Sequence, residues 1–506
     1  MLDDASRREL RAIVVHQWLP TWDRVTWNPS EHRRRPQPQF YLFTLTAPDL
    51  LALTGIYRRS TAGGKPRSKD LGIQRRHDPE RSDKIREFVH YGYPWSELST
   101  SRRNSEEFND LRKPGWLPTA IIVNFLTEDD TRDDSQVASH DLIEIEDTSD
   151  REARIRLPRS FTGVGWKPQE LSPIEVIDGQ HRLWAFTRTE STRKFELPVV
   201  AFRGLDISWQ AYLFWTINIK PKRINPSLAF DLYPLLRTED WLERFEGHQV
   251  YRETRAQELT EALWSHPESP WFHRINMLGD PKEGTVTQAA WVRSLLATYV
   301  RGWEGRRIRV GGLFGAPAGK DKTVLPWSRA QQAAFLIVVW QEVRDSVRAS
   351  SERWASALRA GSPTPMNGLD PSFAGEYSLL NTDQGVRGIL HVSNDLCYVR
   401  VDELKLSRWK EMTDSSAIDR QAVEVEMRSL KSQNVAGFLS ATGKAITSFD
   451  WRTSAAPGLS DEERTSRLGF RGGSGYRELR RQLIKHLCGG SGEVASAARK
   501  VQSLIG

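Results

Sequence analysis

Five consecutive residues could bind a phosphate: Asp178, Gly179, Gln180, His181 and Arg182 lie together between two apolar runs. Glycine permits a tight turn with positive φ and a close approach of a ligand to the backbone. The first amides of a helix that begins here would lack intrahelical acceptors, and the positive end of the helix dipole would favour an anion. Arg182 adds a forked guanidinium that matches phosphate oxygens. The pattern predicts a phosphate site, for either a nucleotide or a DNA backbone.

Three of these side chains have distinct roles in that prediction. If the site hydrolyses a nucleoside triphosphate, Arg182 and His181 would stabilise the charge that develops on the transferred phosphoryl group. A bare carboxylate repels phosphate, so Asp178 would hold a Mg²⁺ ion that neutralises the phosphates, or would cap the helix. The alternative is an ordinary helix start, with Asp178 as a plain N-cap and the other two residues on the surface.

The neighbouring sequence indicates how the stretch is positioned. The apolar run "PIEVI" reads as a strand, so we predict a strand, a turn and a helix from His181 to about Thr189. The turn would then lie at the mouth of a parallel-type sheet, where α/β folds bind ligands at the carboxyl ends of strands. This position favours the functional interpretation over the plain cap.

Strands and helices alternate over the first part of the chain. The segments "FYLFTLTA", "LPTAIIVNFL", "ARIRL" and "LPVVAF" read as strands, and residues 5–19, "PERSDKIREFVHYG" and "SWQAYLFWTIN" read as helices. We therefore predict an α/β domain over 1–225. Beyond it, apolar residues recur every 3.6 positions, which predicts a mainly helical domain over 226–506 with a large glycine-containing loop at about 452–475.

Composition limits the classes of protein that fit. The 506 residues suggest two or three domains, and 38% hydrophobic residues with 27% charged residues indicate a folded, globular chain. No run approaches the roughly 18 apolar residues of a membrane span, and no signal peptide is seen, so a cytoplasmic location is expected. Cys397 and Cys488 are too few for a disulfide framework or a structural zinc site. No zinc, haem or flavin is predicted.

The charge balance favours a polyanionic partner. Lys and Arg number 72 against 65 Asp and Glu, which gives a net charge of +7. A positive balance attracts nucleic acid. DNA is therefore the partner that the composition favours.

The pentapeptide "DGQHR" resembles the signature of the DGQHR-domain family. This family includes DndB-like proteins of DNA phosphorothioation systems and relatives encoded with 7-deazaguanine DNA-modification genes. The wider resemblance is to the ParB/sulfiredoxin superfamily, whose members carry a similar turn that cradles nucleotide phosphates. The segments "GIQRRHDPERSDKIREFVHYG", "FWTINIKPKRINPSLAFDL" and "FRGGSGYRELR" are also similar to family elements. The resemblance covers roughly residues 40–235.

The resemblance implies a ParB/sulfiredoxin-like mixed sheet, a set of site residues and a function. The implied site residues are Gln74, Arg75, Asp178, Gly179, Gln180, His181, Arg182 and Asn218. The expected function is that of an accessory protein in a bacterial DNA-modification or defence system. It would bind ATP or another nucleoside triphosphate with Mg²⁺ and hydrolyse it in support of a DNA-modifying partner enzyme. An oligomeric state is left open.

Two alternatives use the same turn. A DNA-binding regulator of a modification operon would grip the DNA backbone there without consuming a nucleotide. A ParB-like nicking nuclease would cleave DNA in a metal-dependent reaction that needs Asp178.

Other basic residues are candidates for contact with the DNA backbone. Arg76 lies beside the implied Arg75, Lys65 and Arg67 lie in "STAGGKPRSK", and Arg154 and Arg156 share one face of a predicted strand. In "GFRGGSGYRELRR", four small residues precede a predicted helix and could bind an anion with Arg471 and Arg477 nearby. A flexible linker is the alternative for that segment.

Further sequence patterns are interpreted as structural and do not predict functional sites. "STAGGKPRSK" and "GAPAGKDK" do not fit the phosphate-binding loop of Walker-type NTPases, since Pro66 and Asp321 follow the lysines. His391, Asn394 and Asp395 are predicted to belong to a capped turn. The 19 tryptophans are predicted to be mostly core residues, and Trp184 and Phe186 are assigned to the same category.

Overall fold

The protein divides into two compact units, Met1–Arg223 and Ile224–Gly506. The structure, a computed structural model, describes residues 7–29, 34–55, 78–93, 95–97, 103, 113–132, 135–187, 194–218, 225–232, 249–280, 286–302, 309–361, 368–413 and 415–505.

The first unit is built on a mixed sheet of eight strands. Ten strands are described in this unit, eight in the large sheet and two in a separate pair: β1 (Glu9–His16), β2 (Gln39–Thr46), β3 (Thr54–Gly55), β4 (Ile121–Phe125), β5 (Thr131–Arg132), β6 (Ser135–Gln136), β7 (Glu144–Asp147), β8 (Glu152–Arg156), β9 (Ile174–Asp178) and β10 (Glu196–Arg203). Their order in the large sheet is β3-β9-β4-β10-β2-β1-β8-β7, while β5 and β6 pair separately. Its helices are α1 (Ala47–Leu53), α2 (Pro79–Tyr91), α3 (Gln180–Trp184) and α4 (Ile207–Asn218).

Alternating side chains explain the sheet. Tyr41, Phe43 and Leu45 of β2 are buried, and the residues between them are more exposed, as expected for a strand with one face on the core. The four predicted strands quoted above and the strand "PIEVI" are confirmed, as are the helices α2 and α4. The coarse prediction of an N-terminal sheet followed by a mainly helical region is confirmed as well.

Two expectations about the sheet are wrong. Residues 5–19 do not form a helix, since Glu9–His16 is strand β1, paired with β2 and β8. Ala12 and Val14 are buried whereas Ile13 is 59% exposed, so the period is two and the β-branched run suits a strand. The sheet around the candidate turn is also not parallel, because β9 runs antiparallel to β4 and parallel only to the two-residue β3.

The second unit is helical. Its helices are α5 (Pro226–Asp231), α6 (Gln249–Ser265), α7 (Gln288–Ala297), α8 (Arg329–Ala349), α9 (Arg353–Ala360), α10 (Pro371–Ala374), α11 (Asp383–Tyr398), α12 (Arg420–Lys431), α13 (Asn434–Thr447), α14 (Asp461–Leu468), α15 (Gly472–Cys488) and α16 (Gly492–Ile505). Trp271, Trp291 and Trp340 meet in its core, with ring centroids 4.9–5.6 Å apart.

Two details of this unit differ from expectation. The loop predicted at about 452–475 contains α14, which begins with a capping box between Ser460 and Glu463. His391, Asn394 and Asp395 do not form a capped turn, because all three lie inside α11 and are buried. Within the described residues, no helix is both long and apolar enough to cross a membrane.

Candidate functional site

The candidate turn begins at an irregularity in the sheet. Asp178 pairs with Ile122 while Val176 pairs with the next residue, so β9 carries one extra residue, Ile177, at this point. Such a bulge bends a strand and redirects its side chains, and bulges are common beside functional sites. Gly179 follows with φ 98° and ψ 10°, in the left-handed region. A Cβ atom there would lie 2.7 Å from Ile121 Cδ1, so both the conformation and the space favour glycine.

Internal partners hold the Asp178 carboxylate on both oxygens. Arg182 donates from Nη2 to Asp178 Oδ2 at 2.9 Å, and Asn218 donates from Nδ2 to Oδ1 at 3.1 Å. Arg182 also donates from Nη1 to the carbonyl oxygen of Thr119 at 2.5 Å. These contacts join the end of β9, the start of α3, the end of α4 and the segment before β4. Asp178, Arg182 and Asn218 are therefore brought together, as the resemblance implied.

This arrangement does not suit Asp178 as a metal ligand. A Mg²⁺ ion would have to displace either the Arg182 or the Asn218 contact to reach a carboxylate oxygen. Among the residues that the structure describes, no cluster of three His, Cys, Asp or Glu side chains is placed to hold a metal ion. Asp178 is not the helix cap either, because Gly179 occupies the N-cap position without a side-chain hydrogen bond.

Gln180 differs from its neighbours in having an unsatisfied polar group. Its side chain is 6% exposed, and Oε1 is buried without a hydrogen-bond partner. A buried polar atom of this kind normally finds a partner in a native protein. The side-chain oxygen of Gln180 is thus an acceptor that the described residues leave unsatisfied.

The helix after the turn is shorter than predicted. It ends at Trp184, and the expected extension to Thr189 is wrong over Ala185–Thr187, which form a turn. Leu183 N donates to Gly179 O at 3.0 Å, so only the three preceding amides lack an intrahelical acceptor. The anion-binding capacity expected from a helix start is therefore limited to the amides of a single turn.

His181 faces the second helix of the unit. Its Nδ1 lies 3.5 Å from Ser82 Oγ on α2, and its ring meets the Trp184 ring edge-on at 5.9 Å. The half-buried imidazole is thereby oriented at the turn, beside the first-turn amides of α3.

A buried ion pair between β5 and β9 lies next to the candidate turn along β9. Arg132 binds both oxygens of Glu175 at 2.7 Å, and the two side chains are 6% and 7% exposed. Gln210 donates from Nε2 to Glu175 Oε2 and to the Leu205 carbonyl, each at 3.0 Å. This network ties α4 to β9 and so fixes Asn218 near Asp178. It was missed from the sequence, although Glu175 in the apolar run "PIEVI" was a detectable signal.

Five predicted residues lie outside the described part of the chain: Gln74, Arg75, Arg76, Lys65 and Arg67. The predicted roles of these residues in phosphate or DNA binding stay predictions.

The remaining predicted arginines meet different surroundings. Arg154 is exposed on β8, whereas Arg156 binds Glu9 at 2.8 Å and Glu146 at 2.6 Å. The hydrogen bond from Arg156 lowers the pKa of the Glu9 carboxyl, as expected for a cross-strand ion pair. Arg156 would have to leave two carboxylates to bind a phosphate.

The glycine-rich segment of the second unit belongs to a helix. Gly472 through Gly475 form the first turn of α15 and do not precede it. Arg471 donates from Nη2 to Ser454 Oγ at 2.9 Å, and Arg477 is exposed. The predicted anion site at these two arginines thus has one residue already engaged and one on the surface.

Several tryptophans of the first unit do not belong to the core. Trp184 and Phe186 are buried as predicted, but Trp18, Trp22, Trp27 and Trp209 line a cleft of about 450 Å³. Phe40, Phe202 and Tyr212 complete the aromatic lining. We call this feature the aromatic cleft.

The rings of the aromatic cleft lie close to one another. The Trp18 and Trp22 centroids are 5.3 Å apart, and those of Trp27 and Trp209 are 5.7 Å apart. The Arg35 guanidinium lies 5.4 Å from the Trp18 ring centroid and pairs with Asp23. The cleft was missed because residues 5–19 were predicted to be a helix and most tryptophans were predicted to be core residues.

The chain matches no protein-family model, no curated protein and no solved structure.

Proposed function

We propose that this protein is a DNA-modification accessory protein of the DGQHR type, with a ParB/sulfiredoxin-like first unit. It binds a nucleoside triphosphate at the Asp178–Arg182 turn and hydrolyses it to support a DNA-modifying partner enzyme. The observation that carries the proposal is the buried, unpartnered carbonyl of Gln180 on a left-handed glycine turn. An unmade hydrogen bond of this kind costs about 1–3 kcal/mol, and a ligand that completes the bond would offset that cost.

Each residue of the turn provides a different contact to the bound nucleotide. The amides of the first turn of α3 donate to phosphate oxygens, and the His181 ring adds a donor beside them. The Gln180 amide can accept from a ribose hydroxyl or donate to a phosphate oxygen. Gly179 lets the ligand approach the backbone.

Arg182 acts first as a positioning residue. It holds Asp178 and the Thr119 carbonyl, which keeps the turn in place. In the hydrolytic step, the first-turn amides and His181 stabilise the charge on the transferred phosphoryl group. A bound Mg²⁺ ion would neutralise charge on the triphosphate. Asp178 does not suit the ion as a ligand, because both of its oxygens already accept hydrogen bonds.

A hydrolysis assay tests this proposal. Wild-type protein, Arg182→Ala and the control Arg344→Ala, at an arginine of α8 paired with Asp345, are compared with ATP and Mg²⁺, with and without duplex DNA. We expect hydrolysis by the wild type and the control, stimulation by DNA, and a loss in Arg182→Ala of about 100-fold, typical for removal of one group that orders a phosphoryl-transfer site. Thermal unfolding of each variant shows that the fold survives. Unchanged hydrolysis in Arg182→Ala would refute the proposed role of the turn.

A second candidate function is a DNA-binding regulator that consumes no nucleotide. The aromatic cleft favours it, because aromatic side chains on which bases stack are a usual means of binding single-stranded nucleic acid, and Arg35 lies over the Trp18 ring. Both Asp178 oxygens already accept hydrogen bonds, so the carboxylate does not favour a metal ion. This also suits a regulator, because binding of a DNA backbone needs no metal. No specific feature of the described residues favours the nuclease alternative.

Salt dependence separates this candidate from the first. A regulator should bind DNA without a nucleotide, and the affinity should fall steeply as salt rises. Trp209→Ala should weaken binding by about 1–3 kcal/mol if the cleft stacks a base. DNA binding that needs ATP would contradict the regulator and support the first proposal.

A further inference from the structure

A group of basic side chains in the second unit surrounds His391. Arg387 and His391 are four residues apart on α11, so they share one face of that helix with Asp395. Arg480 projects from α15, and Arg301 follows the end of α7. Arg480 contacts Asp395 at 2.6 Å, one turn beyond His391. The Arg301 carbonyl accepts from Gly312 N at 3.1 Å, and the next residue, Leu313, donates to Asn394 of α11 at 2.9 Å, so both arginines lie beside the segment of α11 that carries His391.

The two helices pack closely at this point because α11 carries a glycine. A Cβ atom at Gly388 would lie 3.0 Å from Leu479 Cδ2 and 3.3 Å from Leu483 Cδ1. The close approach brings Tyr476 of α15 under the Arg387 guanidinium, 4.4 Å from the ring centroid to the guanidinium carbon. The basic group is therefore held between packed helices and is not carried on mobile surface side chains.

The Asp395 carboxylate interacts with two of these guanidinium groups, those of Arg480 and Arg301. Asp395 is fully buried and accepts from Arg480 Nε at 2.7 Å, with Nη2 2.6 Å from the same oxygen. The side chains of Arg301 and Arg387 make no hydrogen bond or ion pair within the described structure, and the Nε atom of each is buried. Asp383 lies four residues before Arg387 on α11 but makes no ion pair with it within the described structure, and it interacts with Arg293. Among the residues that the structure describes, Arg301 and Arg387 therefore have no carboxylate within ion-pair distance.

His391 does not supply the missing charge. It is 7% exposed, and burial together with the three arginines holds its pKa well below the usual value. It is neutral at physiological pH and adds a hydrogen-bonding ring without adding repulsion.

A partly buried guanidinium cannot avoid the free-energy cost of losing contact with water by giving up its proton, because arginine stays charged in proteins. Such a cation is normally paired when it is removed from water. Two unpaired guanidinium groups match the charge of a phosphate monoester dianion, and their forked donors match its oxygens. A mid-chain phosphodiester carries one charge and brings bulk on both sides, so it suits a half-buried site less well.

We propose that Arg301, Arg387 and Arg480, with His391, form a binding site for a terminal phosphate group in the second unit. The phosphate belongs to a mononucleotide or to the 5′ end of a DNA strand, and the Tyr476 ring provides a surface beside it. The site is separate from the Asp178–Arg182 turn and does not depend on the function proposed for that turn.

Binding of inorganic phosphate to the full-length chain tests the site. Calorimetry and thermal unfolding are run at constant ionic strength for wild type, Arg387→Gln, Arg301→Gln and the control Arg344→Gln, an exposed arginine of α8 paired with Asp345. We expect saturable binding and a rise in melting temperature for the wild type and the control. Each site variant should weaken binding by about 10- to 100-fold, as expected for loss of one charge-assisted contact.

The unliganded variants provide an independent readout. Arg387→Gln and Arg301→Gln remove uncompensated charge, so without phosphate they should melt no lower than the wild type. Phosphate binding that persists in both variants would overturn the proposal, as would a wild type that binds no phosphate. Two variants on different elements keep the test decisive if one of them fails to fold.

Two further probes identify the source of the phosphate. Tighter binding of a 5′-phosphorylated than of a 5′-hydroxyl oligonucleotide would support the site and assign it to a DNA end. Binding of AMP with no preference between the oligonucleotides would support the site and assign it to a mononucleotide. If neither AMP nor the phosphorylated oligonucleotide competes with inorganic phosphate, that result would contradict a terminal-phosphate site.

Discussion

Gly179 and Gln180 are adjacent residues of the turn with opposite structural roles. Gly179 has a backbone conformation that other residues rarely adopt, so the fold requires it. Gln180 places a polar group in a buried position where the fold offers it no partner. The first residue is explained by structure alone, whereas the second is explained when a ligand completes its hydrogen bond.

Replacing Gly179 with alanine should destabilise the first unit. The new Cβ atom would combine a positive φ with a 2.7 Å contact to Ile121 Cδ1. We expect a loss of about 1–3 kcal/mol from backbone strain, with a further loss from the contact. Gly165→Ala is the control, since Gly165 has φ 91° but open space around it. Equal losses of unfolding free energy in the two variants would show that the contact contributes nothing.

Two buried glutamines of the first unit should respond oppositely to substitution with methionine, which is similar in volume. Gln180→Met removes an unpartnered polar atom, so the free energy of unfolding should stay the same or rise. Gln210→Met removes hydrogen bonds to Glu175 and Leu205, so it should cost about 1–3 kcal/mol. Chemical denaturation measures both. A clear loss of stability in Gln180→Met would mean that its side chain has a structural partner.

The chemistry of the turn could be predicted from its residues, but the contacts could not. The resemblance implied that Asn218 belongs to the same site as Asp178 and Arg182. It did not predict that Arg182 binds inward, because its orientation depends on Thr119, which is distant in sequence. Gln180 was selected as one of five adjacent residues that could bind a phosphate, and only the packing shows that its side-chain oxygen is buried.

At the scale of secondary-structure elements, the Arg132–Glu175 ion pair connects β5 and β9, and Gln210 connects it to α4. Removing one partner of a buried pair leaves the other without its counter-charge. Glu175→Leu should therefore destabilise the first unit by about 3–5 kcal/mol, measured as a shift in denaturant midpoint. The double variant Arg132→Met/Glu175→Leu should recover part of that loss. A double variant as unstable as the sum of the single variants would contradict direct coupling.

Strong periodic segments were predicted correctly, while short and irregular ones were not. The helix α8 and the strand β4 have apolar patterns that are long or continuous enough to define them, whereas His391, Asn394 and Asp395 were assigned to a turn and lie in helix α11. Residues Glu9–His16 fit both a period of two and a loose helical spacing, and tertiary pairing with β2 and β8 decided between them. The bulge in β9 leaves no pattern in the sequence, because it follows from pairing with β4.

At the scale of the whole molecule, the two units contain separate polar centres. The first unit has the turn and the aromatic cleft, and the second has the basic group around His391. A chain with a net charge of +7 has only a small excess of positive charge. The position of the unpaired arginines is therefore more informative than the total charge.

The His391 imidazole predicts a pH dependence of stability for the second unit. Its pKa in the folded state is well below the value of about 6.5 in the unfolded chain, so protonation favours unfolding. Stability should be unaffected above about pH 6.5 and should fall by about 1.4 kcal/mol per pH unit as the pH drops below it. Tryptophan fluorescence during urea unfolding measures this slope. His391→Gln should have a smaller slope, and equal slopes would contradict a buried neutral imidazole.

Equilibrium binding of ATP to wild type and Gln180→Met tests the central claim most directly. Gln180 has no internal partner, so a loss of affinity in a variant of unchanged stability reports a contact with the ligand. We predict that the wild type binds ATP and that Gln180→Met binds it about tenfold more weakly, as expected for one lost hydrogen bond. Equal affinity in the two proteins, or no binding by the wild type, would contradict nucleotide recognition at this turn.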